Sequence, residues 1–204
     1  MINNCFDELP PLYTEAYHID ARKKKTGLIF NGIAFLVLIA VLAVVIPTAD
    51  WSFLQAFYDL DFLPFMGTYL LYMAVLFGSM ALYMVLHELV HGVVYKAMTR
   101  KKLTFGLSWS CAFCGVPDVY VTRKTAILAL MAPFTVFTLV FLPLTIVFAF
   151  VNTPLYLLFG LVVGMHWGGC SGDLYMFGLL MFKYKDGSVL LRDTGPEQWI
   201  YVKE

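Results

Sequence analysis

Four long apolar stretches constrain what this chain can fold into. They run over residues 27–46, 68–98, 125–150 and 154–182. A helix of about 20 residues crosses a hydrocarbon core of roughly 30 Å, so each stretch is long enough to span a membrane. Composition agrees, because 60% of the residues are hydrophobic and only 14% are charged, against roughly 45–50% and about 25% in soluble domains. We therefore expect an all-α membrane protein with about four transmembrane helices.

The positions of the basic residues predict how these helices are oriented. Lys and Arg cluster at 22–25, 100–102, 123–124 and 183–185, whereas the connections after the first and third helices contain neither. Basic loops are retained on the cytoplasmic side, so we expect both termini and residues 99–124 to be cytoplasmic. The formal net charge is zero, and no basic surface indicates a nucleic-acid partner.

This orientation divides the chain into three segments. Residues 1–26 form a cytoplasmic N-terminal segment, 27–182 a four-helix membrane domain, and 183–204 a cytoplasmic tail that we expect to form no domain of its own. Between the second and third helices, residues 103–109 and 119–122 are strand-like, which predicts a small β-hairpin at the membrane face. An irregular amphipathic loop is an equally weighted alternative.

The second apolar stretch contains the motif His-Glu-Leu-Val-His at residues 87–91. On a helix, His87 and His91 lie about 40° apart and one turn along the axis, so both imidazoles can reach one zinc ion at about 2.0–2.1 Å. Glu88 is then placed to take a proton from a metal-bound water. Ionisable groups in hydrocarbon are costly and usually functional. The alternative is a polar cluster that only joins helices by hydrogen bonds.

A third ligand is needed for a catalytic zinc, and the fourth stretch offers His166 and Asp173. His87, His91 and Asp173 all lie between 9 and 13 residues before the basic cluster that follows their helix. His166 lies about 10 Å further toward the outer face if the helix is regular. We therefore predict that Asp173 completes a site in the cytoplasmic third of the bilayer.

The choice of Asp173 depends on whether the fourth helix is regular through its glycines, which lie at positions 160, 164, 168, 169, 172 and 178. We favour close packing against another helix as their role. In the alternative, the helix unwinds between Gly168 and Gly172, and His166 reaches the ion instead. Cys111 and Cys114 form a single CxxC pair, which is a weak signal for a metal or redox site. Cys170 is expected to be a small buried apolar residue.

The sequence resembles site-2 protease-type intramembrane metalloproteases. The resemblance rests on His-Glu-Leu-Val-His-Gly in an apolar stretch, on Ala132-Pro133 in the next one and on the glycine-preceded Asp173 in the last. The chain is more closely similar to a small family of bacterial zincin peptidases of unknown function. The similarity extends over roughly residues 69–182, and the histidine motif is its most specific part.

The resemblance implies that His87, His91 and Asp173 bind Zn²⁺ and that Glu88 is the general base. It also implies a bacterial plasma-membrane protein that hydrolyses peptide bonds of membrane-associated substrates, with the bilayer and a membrane-spanning protein as partners. Two alternatives stay open, namely a non-catalytic zinc-binding scaffold and a metal-dependent hydrolase acting on a non-protein substrate. No oligomeric state follows from the sequence.

The predicted topology is tested by reporter fusions. Fusions after Lys25, Arg100 and Glu204 are expected to report cytoplasm, and fusions near Asp59 and Asn152 the opposite side, because the basic clusters flank only the first three positions. Paired cytoplasm-active and periplasm-active reporters measure each position. A cytoplasmic signal at Asp59 would contradict the orientation and the depth argument for the third ligand.

Overall fold

The computed structural model describes residues 4–109 and 111–204 and is mostly helical. The helices are α1 (Lys24–Thr48), α2 (Phe53–Tyr58), α3 (Phe62–Thr99), α4 (Arg123–Val151), α5 (Thr153–Gly169) and α6 (Ser171–Gly178), followed by a π-helical segment at Leu179–Lys183. The strands are β1 (Cys5–Phe6), β2 (Tyr13–Asp20), β3 (Thr104–Leu107), β4 (Ala112–Gly115), β5 (Tyr120–Thr122), β6 (Leu190–Asp193) and β7 (Glu197–Lys203).

Within residues 4–109 and 111–204, four helical spans are long and apolar enough to cross a membrane, as the sequence predicts. They are α1, α3, α4 and the run Thr153–Lys183, which comprises α5, α6 and the π-helical segment. Within the most apolar windows, 44% of the residues of the fourth span are buried, against 6–11% in the others. The fourth span is therefore the central one, and the remaining three expose apolar surface of the kind that lipid covers.

The second span differs from its predicted bounds at its beginning. Helix α3 begins at Phe62, six residues before the predicted residue 68, and short helix α2 was not predicted. Pro64 lies in the first turn of α3. A backbone N–H has no partner within the helix at that position, so proline does not interrupt the hydrogen bonding.

A stripe of glycines brings α5 against α1. Gly160, Gly164 and Gly168 are spaced four residues apart, so they share one face of α5. A Cβ atom at Gly168 would lie 2.6 Å from the carbonyl oxygen of Ala34. Cβ atoms at Gly160 and Gly164 would meet Val45, Leu38 and Val41. The close packing expected of these glycines is present, whereas Gly169 and Gly172 have no such neighbour within 4 Å.

The expectation of an all-α protein is wrong in one respect, because the polar segments form an antiparallel sheet. Its strand order is β1-β5-β6-β7-β2. Strands β1 and β2 come from the N-terminal segment, β5 precedes α4, and β6 and β7 belong to the tail. The tail therefore forms a hairpin that pairs with the N-terminal segment along most of β2. Both termini and the end of the 99–124 segment meet at one end of the helices.

A hairpin does lie between the second and third spans, with a pairing other than the predicted one. Strand β3 pairs with β4, from Thr104 opposite Gly115 to Leu107 opposite Ala112. Residues 120–122 instead join the larger sheet through Val121, which pairs with Leu191. The Cys-Ala-Phe-Cys sequence consequently lies at strand β4 and not in a long turn.

A buried carboxylate links α3 to this sheet. The Tyr95 hydroxyl donates to Asp193 Oδ2 at 2.6 Å, Gln198 Nε2 donates to the same oxygen at 3.1 Å, and the Gly195 N–H donates to Oδ1 at 2.8 Å. Burial raises the pKa of Asp193 to about 6, although the three donors act in the opposite direction. Such a satisfied buried group fixes one geometry between the helix and the sheet.

The glycine stripe predicts a position-specific effect of adding one methyl group. We expect Gly168→Ala to destabilise the protein by about 1–3 kcal/mol, because the methyl group collides with the backbone of α1. Gly178→Ala is the matched control, since its Cβ atom meets nothing within 4 Å, and it should raise stability by about 0.5–1 kcal/mol through helix propensity. Unfolding transitions in detergent micelles measure both. Equal effects of the two variants would contradict the packing role.

Candidate metal centre

The two motif histidines of α3 point into the same space. His87 and His91 lie one turn apart on the buried face of the helix, and their Nε2 atoms are 3.2 Å apart. Helix α6 adds Asp173, whose Oδ2 atom lies 3.3 Å from His87 Nε2 and 3.4 Å from His91 Nε2. The structure therefore brings together the three residues that the sequence predicts as metal ligands.

The spacing of these atoms fits a zinc ion. Ligands about 2.0–2.1 Å from the centre of a tetrahedron lie about 3.3–3.4 Å from one another. The three measured distances are 3.2, 3.3 and 3.4 Å. Two imidazoles and one carboxylate also match the donor set of catalytic zinc sites, which keep a fourth position open.

The partner of His91 fixes which of its nitrogens carries a proton. Its Nδ1 atom lies 2.9 Å from the carbonyl oxygen of Ala129 in α4. A carbonyl oxygen only accepts, so Nδ1 carries the proton and Nε2 of the neutral ring presents a lone pair to Asp173. Ala129 stands four residues before Pro133, which has no N–H to donate. Pro133 thereby leaves the Ala129 carbonyl without its usual helical donor and available to His91.

A one-residue interruption in the fourth span positions Asp173. Helix α5 ends at Gly169 and α6 begins at Ser171, with Cys170 between them. Cys170 donates its N–H to the carbonyl of His166 at 3.1 Å, and Leu174 donates to that of Cys170 at 2.9 Å. The helical hydrogen bonds thus continue on both sides of the interruption. The span therefore does not unwind between Gly168 and Gly172, and Asp173 stays the predicted third ligand.

His166 lies nearer to the site than the depth count indicates. It is fully buried, and its ring centroid is 6.5 Å from that of His87. Donor atoms of His87, His166 and Cys170 form a second group within 4.8 Å of one another. The Tyr83 hydroxyl lies 2.9 Å from His87 Nδ1 and 2.7 Å from His166 Nδ1, and so fills the space between the two rings.

Sequence reasoning missed Tyr83, although a signal for it existed. It stands four residues before His87, so the two side chains share one face of α3. A polar hydroxyl in this position within an apolar stretch is a candidate partner for the imidazole, since buried polar groups are hydrogen-bonded.

Glu88 lies beside the three candidate zinc ligands, His87, His91 and Asp173, which are called the metal-type cluster below. It lies on the wall of a cavity of about 550 Å³. The cavity lies between α1 and α3 and is also lined by β4 and α6. Its walls include His87, His91 and Asp173. Among the described residues, the half-buried Glu88 carboxylate has no hydrogen-bond partner. It is therefore free to exchange protons with a molecule in the cavity.

The CxxC pair also borders this cavity. Cys111 is half-buried and Cys114 is buried. Burial raises the pKa of Cys114 to about 12, so in the absence of a metal ion its thiol stays protonated and is a poor nucleophile. Within residues 4–109 and 111–204, neither cysteine belongs to a metal-type cluster.

Comparison with known proteins gives one match. Residues 80–187, just over half of the chain, match the model of a family described as "putative zincin peptidase". The matched region contains every member of the candidate centre together with Tyr83 and His166. No curated protein and no solved structure matches the chain.

The geometry predicts which residue of the fourth span holds the metal. Asp173→Ala is expected to lose most of its zinc, because its carboxylate supplies one corner of the site. His166→Ala should retain near-stoichiometric zinc at saturating metal, since its nitrogens face Tyr83 and α4. Metal content of the purified, folded proteins measures both, with the exposed Asp186→Ala as control. The reverse pattern would contradict the assignment.

Proposed function

Because the chain belongs to the family described as "putative zincin peptidase", we propose that it is a zinc-dependent intramembrane metalloprotease that cleaves membrane-associated proteins. The observation that carries the proposal is the cluster of His87, His91 and Asp173 beside Glu88, whose carboxylate has no hydrogen-bond partner in the described part of the chain. This cluster opens onto a cavity and is carried by helices long and apolar enough to cross a membrane.

Each residue has a distinct part in the proposed reaction. His87, His91 and Asp173 hold the zinc ion, which when bound polarises a carbonyl and acidifies water. Glu88 accepts a proton from the attacking water. It then delivers that proton to the nitrogen of the departing amine as the peptide bond breaks. Glu88 suits this role because no described side chain competes for its carboxylate.

The cavity indicates what kind of substrate segment the site accepts. Its lining includes apolar side chains of α1, among them Phe30, Phe35 and Leu38, and Met80 and Met84 of α3. Such walls suit an apolar peptide. A transmembrane helix satisfies all its backbone hydrogen bonds internally, so a substrate of this class has to be extended locally before its carbonyl reaches the site.

In this proposal the sheet end of the molecule faces the cytoplasm of a bacterial cell. The support is that both termini and residues 120–122 join one sheet, so the basic clusters that flank the spans gather at the same end. Asp193 and Gly195 of this end border the cavity together with the metal-type cluster. The site would then lie in the cytoplasmic third of the bilayer.

The proposal predicts that metal binding and turnover separate at Glu88. Glu88→Gln should retain near-stoichiometric zinc and lose hydrolysis by about 10²–10⁴-fold, because an amide cannot take up the proton. Comparative proteomics of membrane fractions from cells with the wild-type or the variant protein identifies substrates, and metal analysis checks zinc. Glu15→Gln, on the exposed face of β2, is the matched control.

Each other outcome identifies a different error. Retained cleavage would refute the role of Glu88 as base, and loss of zinc would make Glu88 a ligand. Glu88-dependent release of a non-protein product would identify a hydrolase of another substrate class. An unchanged membrane composition together with retained zinc would indicate a non-catalytic scaffold.

A further inference from the structure

We propose that Tyr83 and His166 form a hydrogen-bond relay that holds His87 in the tautomer and ring orientation needed to bind metal. The inference rests on the proposed zinc site and adds two positioning residues to it. Tyr83 and His166 come from different spans, α3 and α5, so the relay also joins these spans behind the metal site.

The relay is continuous and shielded from water. Tyr83 Oη lies 2.9 Å from His87 Nδ1 and 2.7 Å from His166 Nδ1. The exposed fractions are 9% for Tyr83, 7% for His87 and 0% for His166. Phe137 and Phe141 of α4 pack edge-on against both Tyr83 and His166. Hydrogen bonds in such an apolar environment are strong, and their loss is not compensated by solvent.

The far end of the relay determines the direction of its hydrogen bonds. His166 Nε2 lies 3.3 Å from the carbonyl oxygen of Phe134 and 3.1 Å from Thr138 Oγ1, which also accepts from Trp167 Nε1 at 3.0 Å. The carbonyl only accepts, so Nε2 of His166 carries the proton. In a neutral imidazole the other nitrogen is then an acceptor. The Tyr83 hydroxyl therefore donates to His166 Nδ1.

The consequence for His87 follows from the single proton of a hydroxyl group. Because Tyr83 donates that proton to His166, its oxygen is an acceptor toward His87, and His87 Nδ1 must be the donor. The Nε2 atom of His87 then presents a lone pair toward Asp173 and His91. The relay thus keeps the proton of His87 on Nδ1, just as the Ala129 carbonyl keeps the proton of His91 on Nδ1.

Without the relay, His87 can adopt the other tautomer, which competes with metal binding. A proton on its Nε2 atom would be donated to Asp173 Oδ2, which lies 3.3 Å away. Metal binding would have to displace that proton, so the competing tautomer weakens affinity. Hydrogen-bond partners of this kind typically change metal affinity by about 10–100-fold.

The relay also explains the cluster of His87, His166 and Cys170. Cys170 Sγ lies 3.6 Å from His166 Nδ1, a distance suited to a weak thiol contact. A metal bound there would have to displace the Tyr83 hydroxyl, which already bonds to both imidazoles. A histidine within an apolar span is costly unless it is paired, and the relay supplies that pairing.

The experiment measures zinc affinity of the full-length protein in detergent by competition with a chromogenic chelator. Tyr83→Phe keeps the ring and removes the hydroxyl, and it is expected to raise the zinc dissociation constant about 10–100-fold. His166→Leu should do the same. His166→Asn keeps an acceptor at the position of Nδ1 and should restore affinity to within a few-fold of wild type. Tyr17→Phe, which removes a hydroxyl bonded to Tyr175 outside the site, is the control.

Visible spectra of the Co²⁺-substituted proteins and unfolding transitions of the metal-free proteins accompany the affinities. The relay predicts an unchanged coordination spectrum in Tyr83→Phe. A wild-type affinity in Tyr83→Phe would overturn the relay, whatever the change in stability. Loss of metal and an altered spectrum in His166→Asn would overturn it by making His166 a ligand. A wild-type protein that binds no zinc would instead refute the proposed metal site, so the two failures are distinguishable.

Discussion

The cost of placing polar groups in an apolar bundle governs the arrangement around the candidate site. An imidazole or carboxylate that is shielded from water inside the bundle has no solvent to bond to, so it needs a protein partner or an ion. The chain meets this requirement with few residues. His91 bonds to a backbone carbonyl, His87 bonds to Tyr83, and Asp173 lies within 3.4 Å of both histidines. Because both histidines are bonded through Nδ1, their Nε2 atoms are left free to point toward Asp173. The same hydrogen bonds that stabilise the buried rings therefore arrange the candidate ligands.

Two backbone features allow these side chains to meet. The glycine stripe lets α5 approach α1 closely, which anchors the fourth span at the centre of the bundle. The interruption at Cys170 is short enough to preserve the helical hydrogen bonds on either side. At Pro133, by contrast, a helical hydrogen bond is missing. Proline has no N–H to donate to the Ala129 carbonyl, so that carbonyl can accept from His91. Residues that weaken a helix locally therefore strengthen the contacts around the site.

The membrane spans could be predicted because each is marked by a signal within one short stretch of sequence. Each membrane span is a long uninterrupted apolar run, and its existence follows from length and composition. The five-stranded sheet has no comparable signal, because its strands come from three separate segments and two of them, Cys5–Phe6 and Tyr120–Thr122, are very short. Pairing between distant segments depends on the tertiary fold, and this is why the hairpin partner of β3 was assigned to the wrong strand.

The sequence by itself determined the relation of His87, Glu88 and His91, because the geometry of an α-helix fixes which side chains lie one turn apart. It also narrowed the third ligand to two residues of one span. Only the tertiary structure shows where each of the two lies, because the path of the fourth span through its glycines and the surroundings of His166 depend on packing between helices. The structure also identified Tyr83 as the link between the two histidines. Contacts between helices are set by packing at a distance in sequence, and helical periodicity carries no information about them.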